Sequence, residues 1–151
     1  MGLRLEIAAA AALTAVALWG GPARAAGDAP ADGAAPAALH IELNRAVDNG
    51  AGGCRLTFVV RNATGAELPQ PRFEFVLFDS DGLVDRLTTF DFGALPEDKT
   101  SVRQFDLAGA PCDKLGRLLV NGPAQCGEAG AAAHCRAALS LSSRTEIALI
   151  R

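Results

Sequence analysis

The chain has 151 residues, 50% of them apolar and 21% charged, with a formal net charge of −3. That length holds one domain with a modest core, and it excludes a multi-domain enzyme or a polytopic membrane protein. The mild acidity gives no electrostatic footprint for DNA, RNA or anionic lipid.

Taken in chain order, the first segment reads as an address. Arg4 is the one cation ahead of an uncharged apolar run, Ile7 to Trp19, which is broken by Gly20-Gly-Pro22. The run is about 13 residues, short of the roughly 20 that a spanning helix needs. Ala23-Arg24-Ala25 fits a small-x-small cleavage site, so residues 1–25 are predicted to be a secretory signal cut before Ala26. Cleavage removes Arg4, Arg24 and Glu6 and leaves the remainder one charge more negative. It also removes the only Trp and the only Met, and keeps all four cysteines and both histidines. Residues 26–38 (AGDAPADGAAPAA) have no apolar period and are predicted to be a disordered Ala/Pro/Gly spacer. Residues 39–151 are then the folded domain.

From Leu39 onward β signals dominate. His40 to Val47 alternates and runs into the turn cluster Asp48-Asn-Gly-Ala-Gly-Gly53. Cys54 to Arg61 sets Leu56, Phe58 and Val60 on one face and ends at Asn62-Ala-Thr-Gly65. Arg72 to Phe78 puts Phe73, Phe75 and Leu77 together, with Phe78 opposite. Asp79-Ser-Asp-Gly82 has turn chemistry, so Leu83 to Phe92 closes a hairpin on it. Thr100 to Leu107 and Leu115 to Val120 are further strands. Arg136 to Ile150 is one long or broken strand carrying Leu139, Leu141, Ile147 and Leu149. Helix competes over 111–121 and 129–139, and Gly130 to Ala138 has room for one helical turn. About seven short strands with frequent turns predict an antiparallel β-sandwich with two apolar inner faces.

Four cysteines in a small exported chain read as two disulfides. Zinc prefers close C-x(2–4)-C pairs, and none occurs here. The preferred pairing is Cys126–Cys135, closing a short loop between strands, with Cys54–Cys112. Cys54–Cys135 with Cys112–Cys126 is the alternative.

The central stretch carries a resemblance. It reads Leu56-Thr-Phe-Val-Val-Arg-Asn62-Ala-Thr, then Phe75-Val-Leu-Phe-Asp79-Ser-Asp-Gly82, then Leu95-Pro-Glu-Asp-Lys99 and Val102-Arg-Gln-Phe105. It resembles the FxLYD-type bacterial surface domains, departing at Phe78, where that family has Tyr, and in its cysteines. The tail from Cys112 is outside the pattern. The whole chain also resembles small exported alphaproteobacterial proteins that carry the phrases Phe90-Asp-Phe-Gly-Ala-Leu-Pro96, Val102 to Leu107 and Leu139 to Thr145. The resemblance implies an immunoglobulin-like fold and no activity, because such sandwiches host many functions.

Candidate chemistry is sparse. Asp79-x-Asp81-Gly82 suits calcium in part, but apolar residues follow where further ligands belong, so turn chemistry is the stronger reading. His134 beside Cys135 reads as a solvent residue in an Ala-rich loop, and His40 lies near the folded start. A nucleophilic site needs a histidine beside Ser101, Ser140, Ser142 or Ser143, and no G-x-S-x-G is present. Asn62-Ala-Thr64 fits a glycosylation sequon but reads as a turn. With neither Tyr nor, after cleavage, Trp, the seven phenylalanines read mainly as core. Arg55, Arg61, Arg72, Arg86 and Arg103 read as a solvated sheet face paired with Asp85, Asp91 and Asp106; the rival reading is an Arg-lined surface for an acidic partner.

The functional expectation is a non-catalytic periplasmic or secreted interaction or structural module, not an enzyme. It needs no cofactor or metal, meets another envelope protein, for instance by edge-strand addition, and does not stay in the membrane after cleavage. A small-ligand or metal-binding module using Asp79, Asp81 or His134 is the alternative. A small hydrolase ranks last, since it requires a His–Ser or carboxylate pair to converge.

Overall fold

The computed structural model describes residues 38–126, 132–136 and 138–151. The chain divides into two units, Met1–Ala34 and Ala35–Arg151. The expected signal at 1–25 and spacer at 26–38 lie outside the described residues, save Ala38.

Among the described residues the second unit is all-β, with eight strands: β1 (Ala38–Asp48), β2 (Cys54–Ala63), β3 (Pro71–Asp79), β4 (Val84–Asp91), β5 (Thr100–Leu107), β6 (Leu115–Cys126), β7 (Ala138–Ser143) and β8 (Ala148–Ile150). They form two four-stranded sheets, ordered β5-β2-β1-β7 and β4-β3-β6-β8. The sheets pack face to face as a β-sandwich, because alternation gives each strand one apolar side to bury. Leu39, Ile41 and Leu43 of β1 are buried while His40 and Glu42 between them are not. Phe73, Phe75 and Leu77 of β3 do the same opposite them.

Phenylalanines fill the space between the sheets. The Phe58 ring lies 5.8–5.9 Å from the rings of Phe75, Phe90, Phe92 and Phe105. Phe90 and Phe105 stack at 4.3 Å and join β4 to β5 along one rim. At the same rim two inward arginines bridge the sheets through backbone carbonyls. Arg86 donates to Ala108 at 3.0 Å, and Arg103 donates to Phe92 and Ala94 at 2.5 and 2.9 Å.

Both disulfides take the preferred pairing, Cys54–Cys112 and Cys126–Cys135, with Cα separations of 4.8 and 5.7 Å. The first ties the start of β2 to the short 3-10 turn Cys112–Lys114, which leads into β6. The second ties the end of β6 to a single helical turn, Ala132–Cys135, ahead of β7. Each staple therefore joins one sheet to the connection that leads to or from the other.

The expected hairpin is present. Asp79 Oδ1 accepts the backbone N–H groups of Asp81 and Leu83 at 3.0 and 2.8 Å, and Gly82 takes a positive φ of 84° that suits glycine. In the turn ahead of β2, Gly53 is obligatory for space, since a Cβ there would lie 2.2 Å from the Leu107 carbonyl oxygen.

Three expectations need correction. The sheets are not purely antiparallel: β1 pairs with β7, and β6 with β8, in parallel. The last segment is two strands in different sheets, which makes eight rather than seven. The bend between them is built locally: Ser143 Oγ donates to the Ile147 carbonyl at 2.7 Å, and the Arg144 N–H donates to Leu43 at 2.9 Å. β6 runs on to Cys126 through Pro123. Its pairing with β8 covers only Arg117 to Leu119, so Pro123, which has no N–H, sits where no second neighbour asks for one.

Candidate functional site

Outward side chains are free of the core's demands, so function is sought on the two outer faces. On the second sheet the register aligns Leu87 of β4, Val76 of β3, Leu119 of β6 and Ile150 of β8 in one row. Leu87 is 57% exposed and Ile150 36%. The next row holds Val84, Phe78, Arg117 and Ala148. A bulge between Leu77 and Phe78 brings Val84 opposite Phe78, and Leu83 beyond it is also exposed. The result is an apolar band across all four strands, roughly 14 Å wide at ordinary strand spacing. Polar pairs close one end: Arg72 meets Asp91 at 2.8 Å, and Asn121 donates to Glu74.

Arg117 sits within the band. Its guanidinium carbon lies 4.4 Å from the Phe78 ring centre, and it makes a 3.4 Å contact to the Gly82 carbonyl. Among the described residues it pairs with no carboxylate. Phe78, expected opposite the core phenylalanines, is half-buried on the outer face, and the arginine caps it.

The outer face of the first sheet is polar. One row holds Thr100, Arg61, His40 and Ser140; the next holds Val102, Val59, Glu42 and Ser142. Asn44 and then Arg144 hydrogen-bond to Glu42 and hold its carboxyl below the usual range. His40 is thus in register with Ser140, one of the neighbours a nucleophilic site would need. The nearby carboxylate, however, is committed to Asn44 and Arg144, so the row presents donors rather than a proton relay.

The other sequence candidates are placed as follows. Asp79 is committed to its turn through Asp81 and Leu83. Asp85 pairs with Arg86 at 2.6 Å, and Asp91 lies at the far end of β4 with Arg72. Among the described residues no three His, Cys, Asp or Glu side chains cluster as a metal would require. His134 is not a free solvent residue: it is half-buried, with Nδ1 3.2 Å from the Thr64 carbonyl, so its Nδ1–H form bonds there. The cause is the Cys126–Cys135 bridge, which fixes its helical turn on the protein. Arg55–Asp106 and Arg72–Asp91 are the expected cross-strand ion pairs. Among the described residues Arg61 takes no such partner.

Asn62 is the residue whose importance the sequence hid. It is fully buried, and its amide nitrogen donates to the Ala66 and Leu95 carbonyls at 2.7 and 2.8 Å. Its Oδ1 accepts the Thr64 N–H and hydroxyl at 3.1 and 2.7 Å. The turn reading of Asn62-Ala-Thr64 is therefore correct but too local, since the amide also binds the loop at Leu95.

The molecule is defined as a disulfide-stapled β-sandwich of two mixed sheets. Comparison with protein-family models, curated proteins and solved structures returns no match for the chain. Two disulfides suit an oxidising, exported setting. No described helix is long and apolar enough to cross a membrane.

Proposed function

We propose that this protein is a non-catalytic interaction module of the bacterial periplasm, with an immunoglobulin-like sandwich that docks an envelope protein on the outer face of its second sheet. The observation that carries this reading is the row Leu87, Val76, Leu119 and Ile150. Single exposed apolar residues are ordinary, whereas a contiguous band rimmed by polar pairs is a docking feature. The partner's chemistry follows from Arg117: a protein surface of apolar side chains around one carboxylate, which would pair with the guanidinium as water leaves. A second copy of this chain fits less well. Face-to-face pairing on a two-fold axis would bring Arg117 towards its own copy.

A photo-crosslinking residue at position 87, with one at position 102 on the opposite sheet as control, tests the reading in whole cells. Crosslinks to one defined envelope protein from position 87, absent at 102 and lost on Arg117→Glu, are expected. Equal crosslinking from both positions, or none from 87, would overturn it.

A further inference from the structure

The polar face carries a second site, independent of what sits on the apolar one. In the row Thr100–Arg61–His40–Ser140, adjacent members are directly opposite each other in the sheet. Neighbouring strands lie about 4.8 Å apart, so the four side chains span about 14 Å and Arg61 and His40 stand side by side. Together with Glu42, Ser142 and Arg144 they line a shallow groove of about 310 Å³. Among the described residues, Arg61 and His40 make no side-chain hydrogen bond or ion pair, and the Thr100 and Ser140 hydroxyls have no protein partner.

The charges that face His40 are few. Arg61 faces it from β2, Glu42 lies two residues along its own strand, and Arg144 follows β7. Glu42 is matched by Arg144 at 3.0 Å and by Asn44 at 2.8 Å. With that carboxylate engaged by its own partners, the groove keeps one unmatched guanidinium, the His40 imidazole beside it, and hydroxyl donors on both sides. The other arginines of β2 to β5 are engaged within the molecule. Arg55 holds Asp106, Arg72 holds Asp91, and Arg86 and Arg103 reach backbone carbonyls.

We propose that this groove binds the anionic group of a small ligand, a carboxylate or a phosphate. The Arg61 fork takes two oxygens, the His40 ring N–H donates beside it, and Thr100 or Ser140, at opposite ends of the row, reaches the remainder of the ligand. The site is too narrow, and the molecule too acidic, for a nucleic-acid backbone.

The test is a titration of the whole purified chain with inorganic phosphate and, separately, succinate, followed by NMR of the histidine ring and arginine side-chain signals. The His40 and Arg61 signals should shift and saturate while those of His134 stay still. The preferred anion of the two identifies the ligand group. Arg61→Gln should abolish saturation and His40→Ala should weaken binding, both at an unchanged melting temperature. Shifts that never saturate, equal shifts at His134, or unaltered binding by Arg61→Gln would overturn the proposal.

Discussion

On the first sheet one outward row reads Thr100, Arg61, His40, Ser140; on the second it reads Leu87, Val76, Leu119, Ile150. Both rows cross four strands, and both sheets bury the same kind of apolar inner face. The inner faces must match each other in shape, so their residues report on folding. The outer faces answer to no such demand, so their divergence reports on surroundings. The polar face meets most of its charges from within, through Arg55–Asp106 and Arg144–Glu42. The apolar face leaves Leu83, Val84, Leu87 and Ile150 exposed.

The largest expected effect erases the contrast by removing the sandwich that supports both faces. Replacing Cys54 and Cys112 together by Ser should cost about 4 kcal/mol, and replacing Cys126 and Cys135 about 2.5–3, since the longer loop restricts the unfolded chain more. Urea unfolding of the two double variants checks that order. Asn62→Asp comes next, at about 3 kcal/mol. It removes two buried donations and sets a charge against the Ala66 and Leu95 carbonyls, where Asn62→Ala should cost about 2. Equal stability of the Asn62→Asp variant and the native protein would show that the amide is not the brace its geometry implies.

A third experiment separates the faces without unfolding either. Leu87→Lys should leave stability within about 0.5 kcal/mol, because the side chain is exposed, but should cut binding of an environment-sensitive apolar dye. Val102→Lys on the polar face should leave dye binding unchanged. If both variants lose dye equally, the apolar band is not a distinct surface.

The smallest effect concerns acid. The Arg55 guanidinium holds Asp106 below the usual carboxylate range, Asn44 and Arg144 hold Glu42 there, and the Gly93 N–H, Gln70 and Arg72 hold Asp91 there. A carboxyl depressed in the folded state stabilises it above the ordinary carboxylate pKa, and that contribution fades as pH falls through the folded value. The melting temperature should therefore be level from about pH 7 to 5 and decline below about pH 4. Arg55→Gln should flatten part of that decline. Because these groups are exposed, the change is slight and shrinks further in salt.

Strand positions, inward residues and the Asp79 hairpin turn were legible because each depends on near neighbours in sequence or on alternation; Cys54–Cys112, 58 residues apart, followed only as the remainder once Cys126–Cys135 closed its short loop. The apolar band had a faint signal. Phe75-Val-Leu-Phe78 and Leu118-Leu-Val120 are continuous apolar runs, which mark strands apolar on both sides rather than one. Reading Arg55, Arg61, Arg72, Arg86 and Arg103 as one solvated face concealed this, since the structure distributes them over two sheets and sends Arg86 and Arg103 inward.

By itself, then, the sequence determined which residues extend, which turn and which face the core, because a period of two and a turn residue act over a few positions. Which strands lie side by side was decided only in three dimensions. Alternation is the same for parallel and antiparallel neighbours, so nothing local says that β7 joins β1 while β8 crosses to β6. Register then decided what stands next to what, bringing His40 to Arg61 and Ser140, and Leu119 to Val76 and Ile150.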